Sequence, residues 1–238
     1  MTSDLNGFYM VLPNFDALPP ELDAWCHVMP ALSREEDELW FWEVDTEPPR
    51  IPAVFSSAYD PFDSIDFPLS EKLWPIVSSG ALKIIKLIDR QSEIKSYPAI
   101  LIDSVHQGAR DPRTTWEPYD AAAFTRETLS FPALRSDEFA LVHVPILHGR
   151  FDLEHSEYSE LWDGHPLGIS SYVLKDPELP LPPLFRFAEQ PGHLFVTAEL
   201  RAAWKKGGIY GPTYSPPDRP HAVSEVDVHR PRLVNPKA

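Results

Sequence analysis

Apolar residues along this chain fall into many short runs separated by proline and charge. Gly7 to Pro13 reads as an opening strand, and residues 38–45 read as a second strand, aromatic and flanked by acids. Ile51 to Phe55, Ala81 to Ile88 and Tyr97 to Ile102 read as further strands, the last two separated by a polar turn at Asp89-Arg90-Gln91-Ser92. Phe139 to Leu147 is the longest apolar run and reads as one buried strand, with Pro145 at an edge or bulge. Ser170 to Leu174 and His193 to Val196 complete the set. Helical signals are fewer. Ser70 offers an N-cap for Glu71 to Ser79, with Gly80 as its stop and Pro75 shortening or kinking it. Thr197 caps Ala198 to Lys206, which carries Glu199 in its first turn, Lys205 and Lys206 in its last, and Gly207-Gly208 beyond. Residues 120–129 offer a third helix. The pattern predicts an α+β fold with a mostly antiparallel sheet, two or three short helices and proline-rich connectors.

Two features bear on organisation. Phe67-x-x-Ser70-x-x-Leu73 and Phe195-x-Thr197-x-x-Leu200 each precede a glycine ten residues after the cap. An internal strand–helix–strand repeat explains this, and so does ordinary capping grammar. Residues 176–184 (Asp-Pro-Glu-Leu-Pro-Leu-Pro-Pro-Leu) predict a stiff extended link rather than an SH3-type ligand. The expected organisation is one domain over 1–238. It divides into an acidic part (1–110) and a C-terminal part (111–214), followed by an extended tail (215–238).

Composition sharpens this picture. Among 238 residues there are 27 prolines and only 10 glycines, which disfavours a glycine-dependent nucleotide fold. Net charge is −15. Such a chain is a poor binder of nucleic acid or anionic membrane, and a basic partner suits it better. Residues 1–70 hold fourteen acids and two bases, so −12 of the −15 lies there. From Arg201 onward the sign reverses, with seven bases against three acids. A solvated acidic rim and an interaction face both account for this asymmetry. The single cysteine, Cys26, excludes an intrachain disulfide and a cysteine-cluster metal site. Signal-peptide and membrane-span patterns are absent, so the expected compartment is cytoplasmic.

The chain carries no phosphate-binding loop, no G-x-G-x-x-G, no G-x-S-x-G and no H-E-x-x-H. His143, His148 and His155 lack a helical i, i+4 pair, so hydrogen-bonded core and loop histidines are expected rather than a metal site. Cys26-His27 are adjacent, and adjacent side chains seldom form a catalytic pair. Asp60, Asp63 and Asp66 lack the spacing of a calcium loop and read as loop acids. No catalytic residue, metal or cofactor is expected. The aromatic strand is more informative. Trp40 and Trp42 share a face two residues apart. With Leu39 and Phe41 turned to the core, they stand outward among Glu35, Glu36, Asp37, Glu38, Glu43 and Asp45. Large aromatics inside a charged rim are the make-up of a binding hot spot. A strand buried on both faces is the alternative.

From Leu184 onward the residues run Leu184-Phe185-Arg186-Phe187, then His193-Leu194-Phe195-Val196-Thr197-x-x-Leu200, then a helix, then Gly207-Gly208-Ile209-Tyr210-Gly211-Pro212. This segment resembles the C-terminal part of bacterial immunity proteins of polymorphic toxin systems, the immunity-protein-11-like group and its relatives such as immunity protein 43. Phe67 to Ile88 follows similar grammar. The resemblance implies a cytoplasmic antidote that binds and blocks a cognate toxin, and it transfers no active site. A small hydrolase using scattered His, Asp and Ser residues, and a structural adaptor of a secretion system, are the other classes open to this sequence.

Overall fold

A computed structural model describes residues 7–13, 28–30, 52–57, 59, 61–68, 75–90, 94–103, 129–162 and 165–218. Twelve strands, two α-helices and a short 3₁₀ helix (Pro132–Leu134) are described. In chain order the strands and α-helices are β1 (Phe8–Pro13), β2 (Val28–Pro30), β3 (Ala53–Ser57), β4 (Ile76–Ser78), α1 (Ser79–Ile88), β5 (Lys95–Asp103), β6 (Arg135–His143), β7 (Ile146–Leu147), β8 (Glu160–Trp162), β9 (His165–Leu167), β10 (Leu184–Phe187), β11 (Gln190–Thr197), α2 (Ala198–Gly207) and β12 (Pro212–Ser215). The fold is α+β. One five-stranded sheet runs β12-β1-β11-β10-β7, a second runs β2-β3-β5-β6-β4, and β8-β9 form a hairpin. All pairings are antiparallel except β10 with β7 and β3 with β5.

Alternation along the strands sorts side chains into three cores. In the first sheet, Phe8, Met10, Phe185, Phe187 and Phe195 face one way, onto Phe151 and Tyr172 of the following loops. The rings meet edge-on or stacked at centroid distances from 4.9 to 6.3 Å, the range in which aromatic pairs attract. Val11, Leu184, Leu194, Val196 and Tyr214 face the other way, onto the helices. In the second sheet, Phe55, Leu101, Phe139 and Leu141 build a separate core with Tyr59 and Ile65, whereas Val77 and Val142 join the helix core. The helix core therefore draws side chains from both sheets.

The apolar run at 139–147 is two strands, not one. β6 ends at His143 in the second sheet and β7 starts at Ile146 in the first. Pro145 lies between them, and its carbonyl accepts from Arg186 N at 3.0 Å. Proline has no N–H for a ladder, so the chain leaves one sheet there and enters the other.

The first helix is also corrected. The Ser70-capped helix over Glu71–Ser79 does not form in its second half, where Ile76–Ser78 is strand, and α1 begins at Ser79. Residues 69–74 lie outside the described residues. The run Ala81–Ile88, read as a strand, is helical. Ser78 sits in extended backbone (φ −64°, ψ 159°) and accepts from Ala81 N at 3.2 Å. Ala81 and Ile85 recur four apart on the buried side, with exposed Lys83 and Lys86 between and beyond them. The repeat register through Ser70 fails with it. α2 matches its expectation: Thr197 Oγ1 accepts from Leu200 N at 3.2 Å, and Gly208 closes the helix in left-handed backbone at φ 68°.

Ser170–Leu174 is not a strand and makes only isolated bridges, Glu157 to Ser171 and Phe151 to Leu174. The proline connector is broken by a turn in which Leu179 N donates to Asp176 O. Arg150 clamps that turn, donating to the carbonyls of Asp176 and Leu179 at 3.0 and 3.1 Å. The helix expected over 120–129 falls almost wholly outside the described residues, as do the 110/111 division and the tail beyond Asp218.

Candidate functional site

Glu35, Glu36, Asp37, Glu38, Trp40, Trp42, Glu43 and Asp45 lie outside the described residues, as do Cys26, His27 and Asp60. The other sequence candidates are placed, and they do not converge. Asp63 is exposed while Asp66 is buried. His143 is buried in β6, and His148 is exposed beside the turn at Gly149. Among the described residues, no group of three His, Cys, Asp or Glu side chains is placed to hold a metal ion.

His155 pairs with Asp152, its Nδ1 2.8 Å from Asp152 Oδ2. Asp152 Oδ1 accepts from the backbone N–H groups of Glu154 and His155. The hydrogen bond from His155 holds the Asp152 carboxyl below its usual range, and the same bond raises the imidazole above its own. The pair is solvent-exposed at His155 and stands on a loop. It orders a turn; nothing in its geometry supplies a nucleophile.

Asp66 does more. Its Oδ1 accepts from Ser78 Oγ at 2.5 Å and its Oδ2 accepts from Tyr210 N at 3.0 Å. Its own N–H donates to Tyr210 O, and its carbonyl accepts from Ser78 N. One loop acid thus ties the start of α1 to the turn that follows α2. Gly211 is needed beside it. At φ 125° a side chain is strained, and a Cβ there would lie 2.4 Å from Phe67 O. The sequence signal was the caps and the glycine turn, but nothing in the sequence linked them to Asp66.

Three contacts set the helix pair. Arg90, just past α1, reaches Glu199 in the first turn of α2 at 3.4 Å. Trp204 Nε1, near the end of α2, donates to Ala81 O near the start of α1 at 3.3 Å. Gly207 lies so close to Ile84 that a Cβ would come within 2.7 Å of its Cδ1. The helices are therefore antiparallel. Their outward sides carry Lys83, Lys86, Arg90, Lys205 and Lys206, with Leu87 82% exposed among them. Arg201 lies over the rings of Tyr9 and Tyr214, at 4.3 and 5.5 Å from their centroids. Reading Ala81–Ile88 as a strand hid this face, because strand alternation separates Lys83 from Lys86 while helical spacing puts them together.

A groove of about 250 Å³ opens where the end of α1, the start of α2 and the proline connector meet. Its charged lining is in part already engaged: Arg90 holds Glu199, and Asp89 Oδ2 accepts from Ile94 N.

No helix among the described residues is long and apolar enough to cross a membrane. No protein-family model matches the chain, and no curated protein matches it in sequence.

Proposed function

We propose that this chain is an immunity protein that neutralises a cognate bacterial toxin by stoichiometric binding, without catalysis. The observation that carries the reading is the segment from Leu184 to Pro212, whose residues resemble the C-terminal part of that group. Its folding as strand, strand, Thr-capped helix, glycine turn and final strand agrees with what the resemblance implies. The acidic balance and the missing catalytic motifs support the same reading. The binding face in this proposal is the acidic first third, with Trp40 and Trp42 as apolar anchors and Glu35 to Glu38, Glu43 and Asp45 as the rim. The toxin's complementary surface is basic. Rim acids then act on the association rate and the anchors on dissociation.

The test is co-expression with the cognate toxin, sought in the neighbouring reading frame. Growth is restored and the two proteins elute as one equimolar complex. Trp40→Ala or Trp42→Ala speeds dissociation while the free variant melts as wild type does. Rescue by catalytic amounts, or reversal of a toxin product without toxin binding, overturns the proposal.

A further inference from the structure

We propose that the outward basic face of the α1–α2 pair is a docking surface for the acidic surface of a second copy of this chain. The proposal does not rest on the antitoxin reading. Residues 79–90 and 198–207 hold six bases and two acids, so these two stretches carry +4 and the remainder of the chain −19. Six of the eleven Lys and Arg residues among the described residues lie in these two short stretches. One of the two acids, Glu199, is already paired with Arg90. The other, Asp89, holds Ile94 N.

Helix dipoles account for part of this charge. Lys86, Lys205 and Lys206 sit in last turns, where cations are favoured. They do not account for Lys83, one turn into α1, nor for Leu87 standing exposed beside it. The face is also held rigidly, since Trp204 and Gly207 fix the two helices against each other. A fixed positive face with an apolar side chain in it, on a molecule otherwise strongly negative, has its electrostatic complement in another copy of the same molecule.

Whole-molecule repulsion opposes that contact and gives the test its signature. A chain of this length has a radius of gyration of about 18 Å. At ~0.01 M salt the screening length is about 30 Å, so two −15 bodies repel across their full width. At ~0.1 M it is about 10 Å, which screens the net charge but leaves facing charges at contact. At ~1 M it is about 3 Å, and the facing charges are screened too. Self-association is therefore strongest at intermediate salt and falls on both sides. An apolar contact alone is not weakened by salt in this way.

Sedimentation of the full chain over a concentration series at these three salts checks this. The expected result is a dimer fraction that peaks near ~0.1 M. Lys83→Glu with Lys86→Glu weakens the dimer by about tenfold or more, the effect of roughly one lost charge contact at an interface. Lys83→Arg with Lys86→Arg retains it. Both residues are exposed, and a thermal melt confirms that each variant is folded. A chain that is monomeric at all three salts overturns the proposal, as does association that rises steadily with salt or survives the charge reversal. A monomer that instead binds polyglutamate through this face, with the binding lost on charge reversal, also overturns it and assigns the face to a different acidic protein.

Discussion

Two parts of the molecule use the same device with different side chains. In each, a strand runs directly into a ten-residue helix through a hydroxyl cap: Ser78 into α1 and Thr197 into α2. In each, the buried positions lie three and seven residues after the cap, Ala81 and Ile85 in one, Leu200 and Trp204 in the other. The first helix is apolar, carries no acid in its first turn and ends at Asp89 without glycine. The second has an acid at its start, two lysines at its end and a left-handed glycine beyond. Helix signals are therefore redundant. Packing and one cap suffice for α1, while α2 displays every local marker.

The largest expected effect separates the two units at their equivalent buried positions. Trp204 is fully buried, packs on Phe67 at 5.9 Å and bonds across to α1. Trp204→Ala should cost about 3–5 kcal/mol, near the top of the range for a core truncation. Ile85→Ala, at the matching place in α1, should cost about 2–4 kcal/mol. Urea unfolding midpoints measure both. Equal losses would mean that Trp204 is no more of a keystone than Ile85, and the two units would then be equivalent supports.

Next is the pin between the units. Asp66→Ala leaves Ser78 Oγ and Tyr210 N without their acceptor. Bonds to a charged group are worth about 1.5–3 kcal/mol each, and the loss should be about 3 kcal/mol where both cannot find water. In a double-mutant cycle, Asp66→Ala and Ser78→Ala should couple by about 1 kcal/mol or more, because they share a bond. Asp66→Ala and Thr197→Ala share none and should be additive.

This contrast also explains what was legible in the sequence. α2 was readable because Thr197, Glu199, the lysine pair and Gly208 all point to the same boundaries. α1 was misread because Ser70 with Gly80 imitated a cap and a stop, although Gly80 is the second residue of the helix and ends nothing. Two strands of the first sheet, β1 and β11, were readable as apolar runs at Gly7–Pro13 and His193–Val196. The exchange of sheets at Pro145 was not, since an apolar run cannot say which sheet its halves join. Of the candidate sites, Asp63 and Asp66 read alike as loop acids, but the burial of Asp66 and its reach to Tyr210 arise from contacts over 144 residues of sequence. The basic face stayed hidden because its register depends on the helix. The tryptophan strand remains a sequence argument alone.

The caps come third. Removing an N-cap hydroxyl typically costs about 1 kcal/mol. Thr197→Ala should cost that much, since its oxygen serves the Leu200 N–H. Ser78→Ala should cost about 2 kcal/mol, because the same oxygen also donates to buried Asp66. Equal losses at the two caps, read from urea midpoints with unchanged slopes, would show that the Ser78–Asp66 bond adds nothing beyond capping.

The smallest effect should be a gain in one helix and none in the other, which makes it the most discriminating. Each contains one glycine inside its bounds, Gly80 at the second position of α1 and Gly207 at the last position of α2. A Cβ at Gly80 would meet only Ser78 Oγ, at 3.6 Å, an ordinary contact. Gly80→Ala removes freedom from the unfolded chain at no steric cost and should stabilise by about 0.4–1 kcal/mol. At Gly207 the same methyl would lie 2.7 Å from Ile84 Cδ1, so α1 must yield before the helix gains anything. Ile84 is partly buried against the helix core, and turning its terminal methyl aside costs about 0.5–1.5 kcal/mol in rotamer strain. That strain offsets the gain in helix propensity, and Gly207→Ala should be neutral or destabilising by up to about 1 kcal/mol. Adding Ile84→Val to Gly207→Ala removes the obstructing carbon, so the alanine should then cost less than it does beside isoleucine. If both glycine variants raise the melting temperature alike, the helices do not touch at Gly207 and their close crossing is misjudged.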